Sequence, residues 1–209
     1  RDLHSFPTRR SSDLEPGKKS RIQAQLLVDL GRLELLRSNL EGAEENLTLG
    51  LAMTREIEGP RTPEVASILT DISNVRSWQD DLEGAERAAH EAVNILRESV
   101  PDLHPDRVMA DARLAEVLFL KGQISDASSL YERALGAQRI LYSNSSSKVA
   151  DTLDSLAQVR LAQNNPAEAE KLTREAIDSN TLARGDQSYM HGYLDRKSTR
   201  LNSSHRTGS

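Results

Sequence analysis

Cysteine is absent from this chain of 209 residues. Without thiols, disulfides, catalytic thiolates and thiolate metal sites are excluded, and the composition fits a reducing compartment, so we expect a cytoplasmic protein. No stretch approaches the length of apolar sequence that a membrane-spanning helix needs, and we expect no membrane association. Glycine-rich phosphate-binding loops are also missing. These absences leave few of the features on which enzyme sites are built.

Histidine is too scarce and too scattered to form a metal site. Apart from the two ends of the chain, the histidines are His90, His104 and His191, and no pair has the i, i+4 spacing of helical metal ligands. We interpret His104 as the start of a helix and acidic pairs such as Asp80-Asp81 as solvated surface, because nothing implies an apolar pocket around them. The sequence therefore predicts no metal, no cofactor and no enzymatic activity.

A period of 42 residues is the dominant feature that is present. The small residues that define the period are Ala43, Ala85, Ala127 and Ala169. Two apolar columns keep the same spacing, one at Leu30, Ile72, Leu114 and Leu156 and the other at Leu33, Val75, Val117 and Val159. A fixed period of this size predicts a solenoid of stacked repeats.

Each period contains two helix-like halves, because apolar residues recur three or four positions apart in both. Asn39, Asp81 and Asn165 stand between the halves, and their side chains suit the N-cap of the second helix. Helix starts followed by proline, as at Thr62-Pro63, separate the periods. The predicted repeats are about 20–61, 62–103, 104–145 and 146–187, with a truncated fifth at 188–194.

Small and large side chains in fixed columns predict how the helices pack. Gly31 is expected to face Ala43, which would let the two helices of a repeat approach closely. Gly50, further along the second helix, is expected to contact the next repeat. Trp78, which shares its column with Leu36, Leu120 and Ala162, is interpreted as packing between repeats.

The order Leu30-Gly31, then Ala43 with Leu47, and Ala127 with Tyr131, resembles the tetratricopeptide pattern. The longer period is similar to the 42-residue tetratricopeptide repeats of kinesin light chains, over about residues 15–194. The resemblance implies an all-α fold, a right-handed superhelical solenoid of antiparallel helix pairs, with about four repeats plus a truncated fifth.

The two ends of the chain, residues 1–14 and 195–209, do not continue the period. Both resemble translated sequencing adapters, and we expect them not to be native, with the repeat domain at 15–194. These ends hold seven of the 27 basic and three of the 32 acidic residues, so the remainder carries a net charge of about −9. An acidic domain predicts neither nucleic acid nor an anionic membrane as partner.

In tetratricopeptide solenoids the first helix of each pair lines a concave groove, so the resemblance implies which positions face a ligand. The groove residues carried over in this way are Gln25, Arg32, Ser67, Thr70, Asn74, Ser77, Met109, Glu116, Phe119, Asp151, Asp154 and Gln158.

Three functions stay open at this point. The first is a non-catalytic scaffold that binds a peptide or a partner helix in the groove. The second is a regulatory or sensory arm of a larger multidomain protein, such as a bacterial protein kinase. The third is end-to-end self-association of the array, and truncation in the fifth repeat is expected to expose apolar surface near Leu172, Ala176 and Ile177.

Overall fold

The computed structural model describes residues 20–142 and 146–184, and these residues form eight α-helices and no strand. The helices are α1 (Arg21–Leu36), α2 (Leu40–Glu58), α3 (Pro63–Trp78), α4 (Leu82–Ser99), α5 (Pro105–Leu120), α6 (Ile124–Tyr142), α7 (Ser147–Ala162) and α8 (Pro166–Arg184). First helices begin 42 residues apart, and so do second helices, as the period predicts. The all-α fold of consecutive helix pairs is therefore confirmed. The predicted adapter segments, the fifth repeat and His191 lie outside the described residues.

Helix starts are set by short polar side chains, as the sequence predicts. The Thr62 hydroxyl accepts a hydrogen bond from the Val65 N–H, and the Asn39 and Asp81 side chains accept from the N–H groups of Gly42 and Gly84. Nδ1 of His104 accepts from the Asp106 N–H at 3.3 Å. The interpretation of His104 as a helix start is confirmed.

The turn inside each repeat has one recurrent geometry. One residue takes a left-handed backbone conformation, and the next N–H donates back five positions to a carbonyl near the helix end, as from Asn39 to Glu34 at 2.9 Å. The left-handed residues are Ser38, Asp80, Gly122 and Asn164. In the first, second and fourth repeats the residue that closes this motif, Asn39, Asp81 or Asn165, also caps the following helix. The chain therefore reverses within the three residues between the helices.

The described residues divide into two compact units between Val117 and Leu118. In the first unit α1 packs on α2, α2 on α3, and α3 on α4, around side chains such as Val65, Val75 and Leu96. In the second unit α7 packs between α6 and α8, with Leu153 and Val159 fully buried. Apolar burial of this kind drives the association of amphipathic helices.

Glycine allows the closest approach of α1 and α2. A Cβ added to Gly31 would lie 2.7 Å from Cγ of Leu47 and 3.1 Å from the carbonyl oxygen of Ala43, so the predicted contact is present. A Cβ on Gly50 would lie 2.7 Å from Val28. The expectation that Gly50 contacts the next repeat is therefore wrong: it packs on the first helix of its own repeat, antiparallel to it.

Of two further packing expectations, the one for Trp78 is wrong, and the one for apolar surface on α8 is wrong at two of its three residues. Trp78 is 41% exposed, and Leu36, Leu120 and Ala162 are exposed as well, because this column is the last residue of each first helix and has few neighbours. Leu172 and Ala176 are buried, and only Ile177 is exposed. Ala176 occupies the Gly50 column, which faces the helix of its own pair rather than the next repeat.

Candidate functional site

A cleft of about 140 Å³ lies between α1, the end of α2 and the first half of α3. Its apolar floor contains Val28 and Ile68, and Gln25, Arg32 and Ser67 stand around it. Those last three are residues that the sequence assigned to the groove, so the structure brings them together. Small-molecule and cofactor sites are typically about 300–1,000 Å³. The cleft therefore fits one side chain of a larger ligand and not a whole cofactor.

Arg32 crosses from α1 to α3 and holds the two helices in register. Its Nε donates to Oδ2 of Asp71 at 2.7 Å, and its Nη2 donates to Oγ of Ser67 at 3.2 Å. On the same helix, Oδ1 of Asp29 lies 3.7 Å from Nη1 of Arg32. A guanidinium held by several acceptors keeps a defined orientation. The cleft wall at Arg32 is therefore preorganised before any ligand binds.

Asp71 is the half-buried partner in this contact, with 27% of its side chain exposed. Burial raises the pKa of its carboxyl above the ordinary value, because desolvation disfavours the charged form, while Arg32 and then Arg113 act in the opposite direction. Arg113 comes from α5, within the same unit. Asp71 is not among the residues predicted from the sequence. The sequence does carry a signal for this contact: Arg32 and Asp71 have opposite charges and are 39 residues apart, which is one repeat minus about one helical turn.

The opposite rim of the cleft is closed by an ion pair between two residues that the sequence did not predict for the site. Nε of Arg21 lies 2.6 Å from Oε1 of Glu58, and the Glu58 side chain is largely buried. Glu58 and Ile57 belong to the last turn of α2. All residues predicted for the groove lie on first helices, whereas the end of a second helix, α2, supplies part of the cleft wall.

Two of the predicted groove residues do not reach a ligand surface. Thr70 and Ser77 are buried, and their hydroxyls donate to the carbonyl oxygens of Ala66 and Ser73, one turn earlier in α3, at 2.9 Å each. Their assignment to the groove is wrong, because a short hydroxyl side chain in a packed helix bonds to its own backbone. Asn74, between them, is half-buried.

The remaining predicted groove residues lie on α5 and α7. Met109 is largely exposed, and the Glu116 carboxylate accepts from Nη1 of Arg113 at 2.6 Å. In the second unit Phe119 is half-buried, Asp151 is exposed, and Nε2 of Gln158 donates to Oδ2 of Asp154 at 2.9 Å. Each residue is accessible on its own helix, and a role in binding stays a prediction.

A second, shallower depression of about 630 Å³ lies along α4 beside Pro60. Its charged groups bind neighbours: Nη2 of Arg61 lies 2.6 Å from Glu98, and Nη2 of Arg55 lies 2.6 Å from Glu91. Within residues 20–142 and 146–184, no cluster of three potential metal ligands occurs, and no helix is long and apolar enough to cross a membrane. The smaller cleft is the better enclosed site.

Comparison with known proteins confirms the resemblance drawn from the sequence. Residues 106–180 match the tetratricopeptide repeat family. Among solved structures, BtubC (BKLC) from P. vanneervenii has a TM-score of 0.71 at 18% identity, covering 83% of this chain and 69% of that one. The TPR-like repeats of a putative kinesin light chain of P. anserina have a TM-score of 0.68 at 15% identity, covering 91% of this chain and 96% of that one.

The apo form of RapI also has a TM-score of 0.68, at 15% identity, covering 80% of this chain and 59% of that one. The comparison with curated protein sequences gives no match. At these identities the structural likeness shows the fold alone, which is that of a tetratricopeptide-type helical repeat.

Proposed function

We propose that this helical array is a non-catalytic scaffold that binds an extended peptide or a partner helix across α1 and α3, with one ligand side chain in the cleft. The observation that carries the proposal is the convergence of Gln25, Arg32 and Ser67 around an apolar floor. A cleft of side-chain size suits an anchor residue. Repeat arrays generally bind protein partners along extended surfaces.

The lining of the cleft favours an apolar anchor with a polar backbone beside it. Val28 and Ile68 offer an apolar floor for an aliphatic side chain. The Gln25 amide and the Ser67 hydroxyl can bond to peptide N–H and C=O groups, since both side chains are accessible. Arg32 already binds Asp71 and Ser67, so it acts mainly as a rigid wall. The charge excess of the repeats favours a neutral or basic peptide over an acidic one.

The proposal is tested with a library of random extended peptides selected on the full chain. The selected peptides are then titrated against Ser67→Leu, whose larger side chain fills the cleft, and against Arg87→Ala as control. Arg87 is an exposed arginine on α4, outside the cleft. We expect Ser67→Leu to weaken binding about tenfold or more, equivalent to roughly 1.4 kcal/mol, and the control to leave it unchanged.

Mapping the chemical-shift changes of this chain when the peptide binds gives an independent measurement. The largest changes should be centred on Gln25, Arg32 and Ser67. Peptides that bind Ser67→Leu as well as the native chain, with shifts elsewhere, would contradict the proposal. A regulatory arm in a larger signalling protein and a cytoplasmic location stay predictions from the sequence.

A further inference from the structure

The outer face of α1 exposes apolar side chains that every later repeat buries. Leu30 is 41% exposed and Leu33 51% exposed, whereas the equivalent Ile72 and Val75 of α3 are 3% and 0% exposed. Leu26 is also exposed, whereas its equivalent in α3 is buried. An apolar stripe of this kind on a helix is the signature of a missing packing partner.

The interior of each unit shows which element covers this stripe. α3 packs against α2 of the preceding repeat, and α7 packs against α6 in the same way. Among the described residues no helix precedes α1. The partner that fits α1 is therefore a second helix of this repeat type, laid on α1 as α2 lies on α3.

The last described helix also exposes an apolar position that earlier second helices bury. Ile177 of α8 is 39% exposed, whereas Leu51 and Leu135 at the equivalent positions of α2 and α6 are 7% and 5% exposed. A second helix with an uncovered apolar position is what α1 lacks. The uncovered face of α1 and the uncovered position of α8 are therefore both apolar.

Charge favours α8 of a second copy as the occupant. Inside the second unit, Arg160 of α7 donates to Oε1 of Glu132 on α6. The equivalent position of α1 is Glu34, and the equivalent position of α8 is Arg174, whose side chain is highly exposed. Arg174 is paired with Glu170 on its own helix, and Glu34 is paired with Arg37. If α8 of one copy lay on α1 of another, Arg174 could exchange Glu170 for Glu34, and the ion pair would form again with its charges exchanged.

Residues 1–19 of the chain do not offer the same match. Second helices carry Leu51, Val93, Leu135 and Ile177 in one column, and one repeat earlier that column holds Arg9. The Leu47 position of that segment is Ser5, so the apolar stripe is absent. A second copy supplies what this segment lacks.

We propose that the chain self-associates head to tail, with α8 of one copy packed on α1 of the next. Such a contact uses different surfaces on the two partners, so it leaves a free end on each side and can grow into longer chains. The contact involves about one helix from each copy, which is smaller than the surface that stable complexes bury. Association therefore depends on concentration, and it does not depend on peptide binding in the cleft.

Sedimentation equilibrium of the full chain tests the apolar part of the proposal. The weight-average mass should rise with concentration, and the double change Leu26→Gln, Leu33→Gln should abolish that rise. Ile140→Gln is the matched control, because Ile140 is 70% exposed on α6, a helix that takes no part in the proposed contact. A native chain that stays monomeric at every concentration, or equal loss with the control, overturns the proposal.

A charge exchange tests the geometry. Glu34→Arg and Arg174→Glu should each weaken association alone, because like charges then meet at the contact, and mixing the two variants should restore it. Glu34 also accepts from Asn39 at 2.9 Å, so circular dichroism of each variant checks that α1 is intact. Mixing cannot repair a folding defect. A mixture that associates no better than its components therefore contradicts the contact.

Discussion

The first and second helix pairs have the same helices at the same 42-residue spacing but bury them differently. In α3 the positions equivalent to Leu30 and Leu33 are fully packed, because α2 lies against them. In α1 the same columns face outward. The difference shows that in a repeat array the environment of a residue is set by its neighbouring repeat as much as by its column, as nearest-neighbour stabilisation of solenoids requires.

The two pairs also fill the space where their helices cross with side chains of different size. The first pair combines Gly31 with Leu47, and the second has Ser73 and Ala89 in the equivalent positions. All four residues are buried. A glycine beside a leucine and a serine beside an alanine are two ways of filling similar space, since interiors are close-packed.

The largest expected effect comes from breaking the packing of the first pair. Leu47→Ala removes a fully buried side chain, and we expect a loss of about 2–5 kcal/mol in the free energy of unfolding. Adding Gly31→Ser should recover part of this loss, because the pair then copies the second repeat. Urea unfolding followed by circular dichroism measures both. The reverse change, Ala89→Leu beside Ser73, should overpack α4 and cost about 1–3 kcal/mol. Additive effects of the two changes in the first pair would refute the volume exchange.

A second prediction separates the uncovered face of α1 from the covered face of α3. Val75→Ala should lower the free energy of unfolding by about 2 kcal/mol, because the site is fully buried. Leu33→Ala in the equivalent column should change it by less than about 0.5 kcal/mol, as expected for a surface position. The measurement is made at low protein concentration, so that self-association does not contribute. Equal losses would show that α1 is covered in solution.

The turns of the two pairs provide a smaller comparison. Ser38 and Asp80 have φ values of 62° and 68°, which glycine adopts more readily. Ser38→Gly should raise the free energy of unfolding by about 1 kcal/mol, and Asp80→Gly by less, because aspartate tolerates this conformation better than serine.

In the third repeat Gly122 already occupies this position, at φ 78° with open space around it. Gly122→Ala should therefore be destabilising, whereas Gly136→Ala, inside α6 and equally open, should stabilise its helix. Effects of the same sign at the two glycines would contradict this explanation.

The smallest expected effect is a pH dependence at Asp71, whose counterpart in the first repeat is the exposed Asp29. The pKa of Asp71 is raised above its ordinary value of 3.8 in the folded chain. Between the pKa of the unfolded chain and the higher pKa of the folded chain, the folded state therefore binds more protons than the unfolded state. Stability therefore falls as the pH rises through that window. Asp71→Asn cannot ionise, so its stability relative to the native chain should increase over the same window. Urea unfolding at a series of acidic pH values measures the difference. A difference that shrinks as the pH rises would show that the Arg32 ion pair outweighs the cost of burial.

Much of the fold follows from local patterns. Ser20, Thr62 and Asn165 begin helices because a side-chain oxygen accepts from an N–H group two or three residues later, within the same short segment. The apolar spacing then requires each helix to pack. Three residues that the sequence assigns to a groove, Gln25, Arg32 and Ser67, line the cleft, and their role in binding stays a prediction. Thr70 and Ser77 were assigned in error, because exposure on a helix cannot be inferred from its periodicity when several of its sides are packed.

What the sequence alone determined is the repeat: the 42-residue period, eight helices within the described residues, their caps and the close contact at Gly31. These depend on hydrogen bonds and steric limits among residues near one another in the chain, or on one recurring contact. The tertiary structure decided what lies against each face. Helices from other parts of the chain decide the partial burial of Asp71, the exposure of Trp78, the contribution of Glu58 to the cleft and the uncovered stripe of α1. Desolvation and packing are properties of that assembled surface, which no single column of the repeat contains.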